Sequence, residues 1–402
     1  MSLGIYISVP FCRSKCTYCN FASGVFSGTQ MSQYVERLAA DMRAMRQFAA
    51  EHGAEIPALA DTVYLGGGTP SLLPPEELRR LFSAVSQQFD IAPQAEVTVE
   101  CAPGTLTDSV IQALVANGVN RVSLGVQSFV DKEAASVARL HTREKTLTDI
   151  DRLRRAGLSN INVDLIAGLP HQTRESWDYS LAEAIAAGVP HTSVYMLEVD
   201  EDSRLGRELM AGGTKYHAHF VPDDDLTAEM YETACDRLNA AGIRQYEISN
   251  FAREGCESRH NLKYWTRQPY LGFGVDAHSM LPGLQAAQSN GTESFRLATT
   301  DNYDEYLRAS GTTVSRVDTA QALEESFFVG LRVNRGISLS ALRQKFGSLL
   351  SSYDPVLADL LDQGLLQRAG ENLQLTARGR LLSNEVFERF IFSSVDEVDV
   401  RA

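Results

Sequence analysis

Positive charge is in short supply in this sequence. Thirty-seven Lys and Arg stand against 51 Asp and Glu, a formal net charge of −14, whereas nucleic-acid binding normally shows a basic patch. The run Arg152, Arg154, Arg155 reads as a solvated helix face, so no nucleic-acid partner is expected. Long apolar runs are missing too: nothing approaches the ~20 residues that span a bilayer. The first residues, MSLGIYISV, show no basic leader, so neither a transmembrane segment nor a signal peptide is expected. Low-complexity tracts and repeats of solenoid period are absent. Cysteine is limited to six, three of them crowded into one loop, which is not the disulfide framework of a secreted protein. The expected compartment is therefore the reducing cytosol. Cys101, Cys235 and Cys256 are isolated and read as buried or incidental thiols. What remains is a chain of 402 residues, 44% apolar and 22% charged, long enough for one large and one smaller domain with filled cores.

The first two hundred residues alternate β-rich runs with amphipathic helical stretches. Strands are expected at 4–9, 62–67, 96–101, 121–127, 160–168 and 192–199, with helices around 31–50, 75–89, 107–117, 145–157 and 173–187. Gly118, Gly157 and Gly188 stand where helices should stop. Strands separated by helices imply parallel pairing through right-handed crossovers, and six such units suit a partial (β/α)6 TIM-like barrel. Chemistry should then sit at the C-terminal strand ends, where PFCRSKC, GGGTP, Glu100, Gln127 and Asp164 all fall. A further helix is expected at 223–241, and the turn-rich PGLQAAQSNGTES (282–294) is either a hairpin or a domain connection. Beyond about 315 the pattern of short helices and a small hairpin at 365–376 indicates a mostly helical, winged-helix-like domain. The expected division is 1–290 and 291–402. The acidic balance and the VDEVDV tail favour a cover or partner-docking role for the second unit over DNA binding.

Cys12, Cys16 and Cys19 fall within eight positions. Zinc would normally recruit four protein ligands, and no second Cys-x2-Cys or His pair completes a tetrahedron. Three thiolates from one compact loop suit a 4Fe-4S cluster with one iron left open; the bland reading is three fortuitous thiols in a turn. This Cys-x3-Cys-x2-Cys spacing resembles the radical S-adenosylmethionine superfamily. The resemblance implies that the cofactor's methionyl amine and carboxylate chelate the open iron. Gly66, Gly67, Gly68 and Thr69 look like the superfamily's glycine-rich cofactor loop, where exposed backbone approaches the ligand. Within the superfamily the chain resembles oxygen-independent coproporphyrinogen III oxidases and the related heme chaperones over nearly its whole length. That resemblance implies S-adenosylmethionine contacts at Tyr6, Tyr18, Phe21, Glu100, Gln127, Arg139 and Asp164. The Asp164 carboxylate suits ribose hydroxyls, and Glu100 and Arg139 suit the charged methionyl end.

Three departures separate the sequence from the oxidase. Phe21 stands where the oxidase has a fourth cysteine, little chain precedes Cys12, and His260-Asn261-Leu262-Lys263-Tyr264-Trp265 matches the chaperones' HNxxYW. A fourth departure fits neither relative: the family's YxHxPFC histidine is Ser8. His260 is a candidate axial ligand for heme iron with Tyr264 and Trp265 as flat apolar neighbours; the alternative is a structural histidine with core aromatics. His278 is a second-choice ligand, His141 and His171 have no clear role, and His217 and His219 in KYHAHF read as an alternating, strand-like pair, either metal-binding or solvated. The resemblance implies a heme chaperone with an apo-hemoprotein acceptor, such as a respiratory protein at the membrane, and a homodimer linked to the cluster. The runner-up is radical oxidative decarboxylation of coproporphyrinogen; an RNA-modifying radical enzyme would need a basic groove that the charge disfavours.

Overall fold

A computed structural model describes residues 1–284, 291–309 and 311–391. Six parallel strands follow one another in chain order: β1 Leu3–Val9, β2 Leu59–Gly67, β3 Asp90–Cys101, β4 Arg121–Gln127, β5 Asn160–Ala167 and β6 His191–Met196. The connecting helices are α1 Gly28–His52, α2 Pro75–Gln88, α3 Asp108–Ala116, α4 Asp131–Ser136, α5 Arg143–Arg155 and α6 Arg174–Ala186, and α7 Arg204–Ala211, α8 Asp224–Ala240 and α9 Arg259–Trp265 follow β6. Local signals set most of these ends. Ser27 and Gln30 form a capping box for α1, and Thr107, Thr142 and Thr173 cap α3, α5 and α6. Gly118, Gly157 and Gly188 take left-handed φ of 76°, 90° and 67° just beyond α3, α5 and α6, as expected of C-terminal caps. The short α4 has too few residues for a readable period.

The strands divide their side chains by parity. Ile5, Ile7 and Val9, Val63 and Leu65, Val122, Leu124 and Val126, and Ile161, Val163 and Leu165 join the apolar core. The alternate positions are polar or glycine, and many hydrogen-bond one another across the inner face. Ser123, Asn162, Asp164, Ser193 and His191 form one such network. The barrel interior is thus built to hold a polar ligand.

The barrel stays open. The large sheet runs on through short and antiparallel strands to twelve among the described residues, with β7 Arg244–Gln245 and β8 Asn250–Ala252 beyond β6. On the other side lie β9 Tyr270–Phe273, parallel to β1, then β10 His278–Pro282, β11 Thr292–Ala298 and β12 Thr313–Asp318. The antiparallel pairing of β10 with β11 resolves PGLQAAQSNGTES as a hairpin whose residues 285–290 lie outside the described set. The sheet continues past residue 290, and a separate apolar cluster gathers Ile248 with residues from Val317 onward. It joins the helices Thr319–Phe328, Leu339–Phe346 and Asp354–Asp362 to a three-stranded sheet of β13 Ile337–Ser338, β14 Leu366–Ala369 and β15 Asn372–Leu375. VDEVDV lies outside the described residues.

Arg267 and Arg296 both reach Glu325 at 2.8 Å, joining this unit to the large sheet. Backbone bonds from Ile248 to Arg332 and from Asn334 to Tyr246 add to the seam. Phe327 is fully buried at the unit's centre, its ring stacked on Phe390 with centroids 4.4 Å apart and 4.9 Å from Tyr353. Phe327→Ala should destabilise the protein by about 3–5 kcal/mol. Denaturant unfolding checks this, and a loss below 1 kcal/mol would show that the stack does not organise the unit.

Candidate functional site

The mouth of the barrel is assembled by backbone before any side chain contributes. After β1 the chain enters the cysteine loop, where Cys12 N–H donates to Gly24 and Gly24 N–H to Pro10. The glycine turn after β2 docks on that entry: Gly68 N–H donates to the Val9 carbonyl at 3.0 Å and Thr69 N–H to the Phe11 carbonyl at 2.7 Å. Only glycine fits at position 68, because a Cβ there would lie 2.6 Å from the Val9 oxygen. Thr69 Oγ1 lies 3.8 Å from Cys12 Sγ, and Cys19 Sγ lies 3.9 Å from Ser23 Oγ. All six cysteines are free thiols. Among the described residues no three His, Cys, Asp or Glu side chains converge as ligands of a single metal ion. A cluster makes a different demand, one iron per thiolate, so its sulfurs stand farther apart than the ligands of one ion.

Beneath the glycine turn, Glu100 accepts from Tyr64 Oη at 2.8 Å and from Gly67 N–H at 3.2 Å. Burial pushes its pKa up to about 7, helped by the Asp164 carboxylate; the Tyr64 and Gly67 bonds and Arg121 pull the other way. Burial also raises Asp164, against hydrogen bonds from Ser193, Asn162 and Ser123. Two carboxylates share a desolvated chamber, an arrangement that favours a cationic, hydroxyl-bearing ligand.

The rim carries orphaned polar atoms. Gln127 adopts φ 66°, a strained choice costing of order 1–3 kcal/mol, and its buried Oε1 has no partner. Arg139 Nε is likewise buried and unpaired, while an η nitrogen of Arg139 lies where a Cβ on Gly125 would fall 2.8 Å away. Burial alone would lower the Arg139 pKa, but the neighbouring Tyr18, Cys16, Asp164 and Cys12 hold it charged. Tyr18 packs on Val137, Ile166 and Leu169. Tyr6 lies below, beside Tyr64 with centroids 6.1 Å apart. Ser8 is buried against this layer: a Cβ on Gly67 would fall 2.9 Å from Ser8 Oγ. Burial, then Arg139, lowers His141 to about 4, and its Nε2 meets the Val126 carbonyl at 3.1 Å.

Tyr18, Gly66, Gly67, Gly68, Thr69, Glu100, Gln127, Arg139 and Asp164 therefore gather at one end of the sheet with Cys12, Cys16 and Cys19, and Tyr6 reaches up to Gly67 with its hydroxyl from the layer below. Phe21, two residues past Cys19, is 59% exposed, and its carbonyl accepts from Lys15. His260 lies at the opposite end, on α9 Arg259–Trp265. There the Glu96 carboxylate accepts from the N–H groups of Arg259 and His260, which seats the helix under the strand starts. His260 is 1% exposed, its Nδ1 is 2.8 Å from Thr62 Oγ1 and its Nε2 is 2.8 Å from Tyr264 Oη. Burial, with the Lys263 charge next, lowers its pKa to about 3. Both ring nitrogens are thus engaged within the protein. The structural alternative fits, with His260 as a floor beneath Tyr64, ring centroids 5.2 Å apart.

KYHAHF is not a strand. Glu208 accepts from Tyr216 and Ala218 N–H and folds the segment into a turn, where His217 meets His171 at 3.3 Å. His278 is exposed, 3.9 Å from Asp276. Sequence reasoning missed Tyr64, Arg121, Ser123, Asn162 and Ser193. Their signal was present as polar residues at alternate positions of otherwise apolar strands.

The model of the Radical SAM superfamily matches residues 6–184, and that of the HemN C-terminal domain matches residues 317–382. A heme chaperone HemW from Lactococcus lactis is 32% identical, covering 97% of this chain and 98% of its own length. The HemW of Bacillus subtilis is 34% identical, covering 96% and 98%. The chain belongs to the HemW heme chaperone family. Its fold is that of the radical S-adenosylmethionine enzyme coproporphyrinogen III oxidase (HemN) from Escherichia coli, with TM-score 0.79 at 22% identity over 97% of this chain and 90% of that one. Members of the radical S-adenosylmethionine superfamily bind a 4Fe-4S cluster and S-adenosylmethionine, and the three thiols, paired carboxylates and orphaned rim groups fit that cofactor set.

The raised Glu100 pKa gives a pH signature. Glu100 faces Asp164, Arg121 and Tyr64, and its ionised form is the stronger acceptor for the N–H groups of the chelating amine. Affinity for S-adenosylmethionine should therefore strengthen as pH rises toward and through 7, falling about tenfold per unit below it at most. Calorimetry between pH 6 and 7.5 should show a steeper slope in the wild type than in Glu100→Gln, whose remaining slope reports the cofactor's own amine; equal slopes would remove Glu100 from the amine site.

Proposed function

We propose that the chain is a cytosolic heme carrier, receiving heme and passing it to an apo-hemoprotein, with an acceptor that can lie at the membrane surface. Its near full-length likeness to proteins named heme chaperones carries the reading. Phe21 supports it, since the decarboxylating relative implied by the sequence would place a further cysteine there. No helix among the described residues is long and apolar enough to cross a membrane, so contact with a membrane acceptor would be peripheral.

In this reading Cys12, Cys16 and Cys19 hold the 4Fe-4S cluster, which when bound supplies an open iron for chelation and an electron source. Glu100 and the Gly66–Thr69 backbone accept from the N–H groups of the methionyl amine, and Arg139 pairs with the carboxylate. Asp164, fixed by Ser123 and Asn162, receives the ribose hydroxyls. Gln127 supplies its free amide oxygen, and Tyr18 offers an apolar face to the adenine. The unit beyond Val317 is proposed as the partner-docking part, because its described bonds run to the sheet edge and the floor.

Anaerobic reconstitution tests the reading. The loaded protein should bind heme stoichiometrically by absorbance titration, transfer it to an apo-hemoprotein, and leave coproporphyrinogen unchanged. Decarboxylated product with stoichiometric 5′-deoxyadenosine would support the oxidase instead. His260→Ala should lower stability by about 2–4 kcal/mol, through two broken buried hydrogen bonds and a cavity. It should keep heme binding at temperatures where it remains folded; loss of heme binding with unchanged stability would return His260 to the heme site.

A further inference from the structure

A cleft of about 410 Å³ opens beside Cys16 and Cys19, and its far wall is the helix α7, Arg204–Ala211. The wall is fixed to the cysteine loop. Leu205 N–H donates to the Thr17 carbonyl at 2.8 Å, and Asn20 Nδ2 donates to Asp200 Oδ2 at 3.0 Å. Ser203 caps α7, and the first turn lies tight on the preceding loop, since a Cβ on Gly206 would stand 2.0 Å from the Asp200 oxygen. Cleft and cluster loop are thus one rigid piece.

The charges in this cleft are unequally committed. Asp200 is tied to Asn20 and to its own loop through Asp202 N–H, and Lys15 is bonded to the Phe21 carbonyl. Arg204 and Arg207, three apart and so on one helical face, are exposed and line the cleft. Among the described residues neither guanidinium takes part in a hydrogen bond or ion pair, whereas Arg152, Arg174 and Arg237 each hold a carboxylate. One further acid, Asp202, shares the lining. Two free planar forks at this spacing match a ligand with two carboxylates. The surroundings add apolar surface: Phe21 is 59% exposed two residues after Cys19, and Met210, three past Arg207 on the same face of α7, is 69% exposed. Paired cations beside exposed apolar side chains suit a flat macrocycle bearing two acidic arms.

We infer that this cleft binds the propionates of heme through Arg204 and Arg207, setting the macrocycle edge beside the cluster loop. The inference rests on the heme-carrier reading and gives it a location away from the floor residue His260.

The test uses the full chain, reconstituted with its cluster, as wild type and as Arg204→Gln/Arg207→Gln, titrated with hemin and with hemin dimethyl ester. Wild type should bind hemin at least tenfold more tightly than the ester, and the double variant should bind both alike, at the ester's affinity. Equal hemin binding by variant and wild type would overturn the cleft while leaving the carrier reading intact. Absence of hemin binding by the wild type would overturn both. A tenfold loss of S-adenosylmethionine affinity in the variant, with hemin unchanged, would show that the arginines serve the cofactor's carboxylate and would overturn the assignment. The ester comparison in the wild type decides the matter even if the variant folds poorly.

Discussion

The functional end of the molecule depends on two backbone hydrogen bonds, Gly68 to Val9 and Thr69 to Phe11. They join the turn after β2 to the chain leaving β1, so the cysteine loop cannot move independently of the barrel. The same turn offers Gly67 N–H to Glu100, tying the third strand into the mouth. Side chains at positions 66 and 68 would collide with Glu100 or with the Val9 and Phe11 backbone. The glycines are therefore a packing requirement as well as a way of exposing backbone to a ligand.

Below that junction the barrel is a stack of polar layers rather than an apolar plug. Asp164 and Glu100 stand at the top, Tyr6 and Tyr64 lie in the middle, and His260 with Thr62 closes the bottom. Tyr64 links the ends, bonding Glu100 through its hydroxyl and stacking on His260 through its ring. Burial costs each of these groups solvation, and hydrogen bonds offset most of it. Part of the uncompensated remainder sits at the mouth, in the raised carboxylates and the unpaired Gln127 and Arg139 atoms. A ligand bound there can offset it.

Much of the fold was legible because its signals are local. Capping residues and terminal glycines place the barrel helices within a few residues, and β-rich runs mark the six strands. The cluster loop was legible for a similar reason, its thiols being close in sequence. Residues that act through distant partners were not. His260 reads as a ligand from its motif, and only the fold shows Thr62 and Tyr264 taking both nitrogens. Arg121 is buried among carboxylates contributed by other strands, a role that no window around it reveals. KYHAHF has the alternation of a strand, but Glu208, eight residues before Tyr216, turns it back.

The central claim is that three protein thiols at the barrel mouth leave one cluster iron open to S-adenosylmethionine. Electron paramagnetic resonance of the reduced, reconstituted protein tests it most directly. Adding S-adenosylmethionine should change the g-values of the cluster signal, and isotopic labelling of the cofactor's amino and carboxylate groups should show hyperfine coupling to the cluster. A signal unchanged at saturating cofactor, as for a cluster with four protein ligands, would contradict the account.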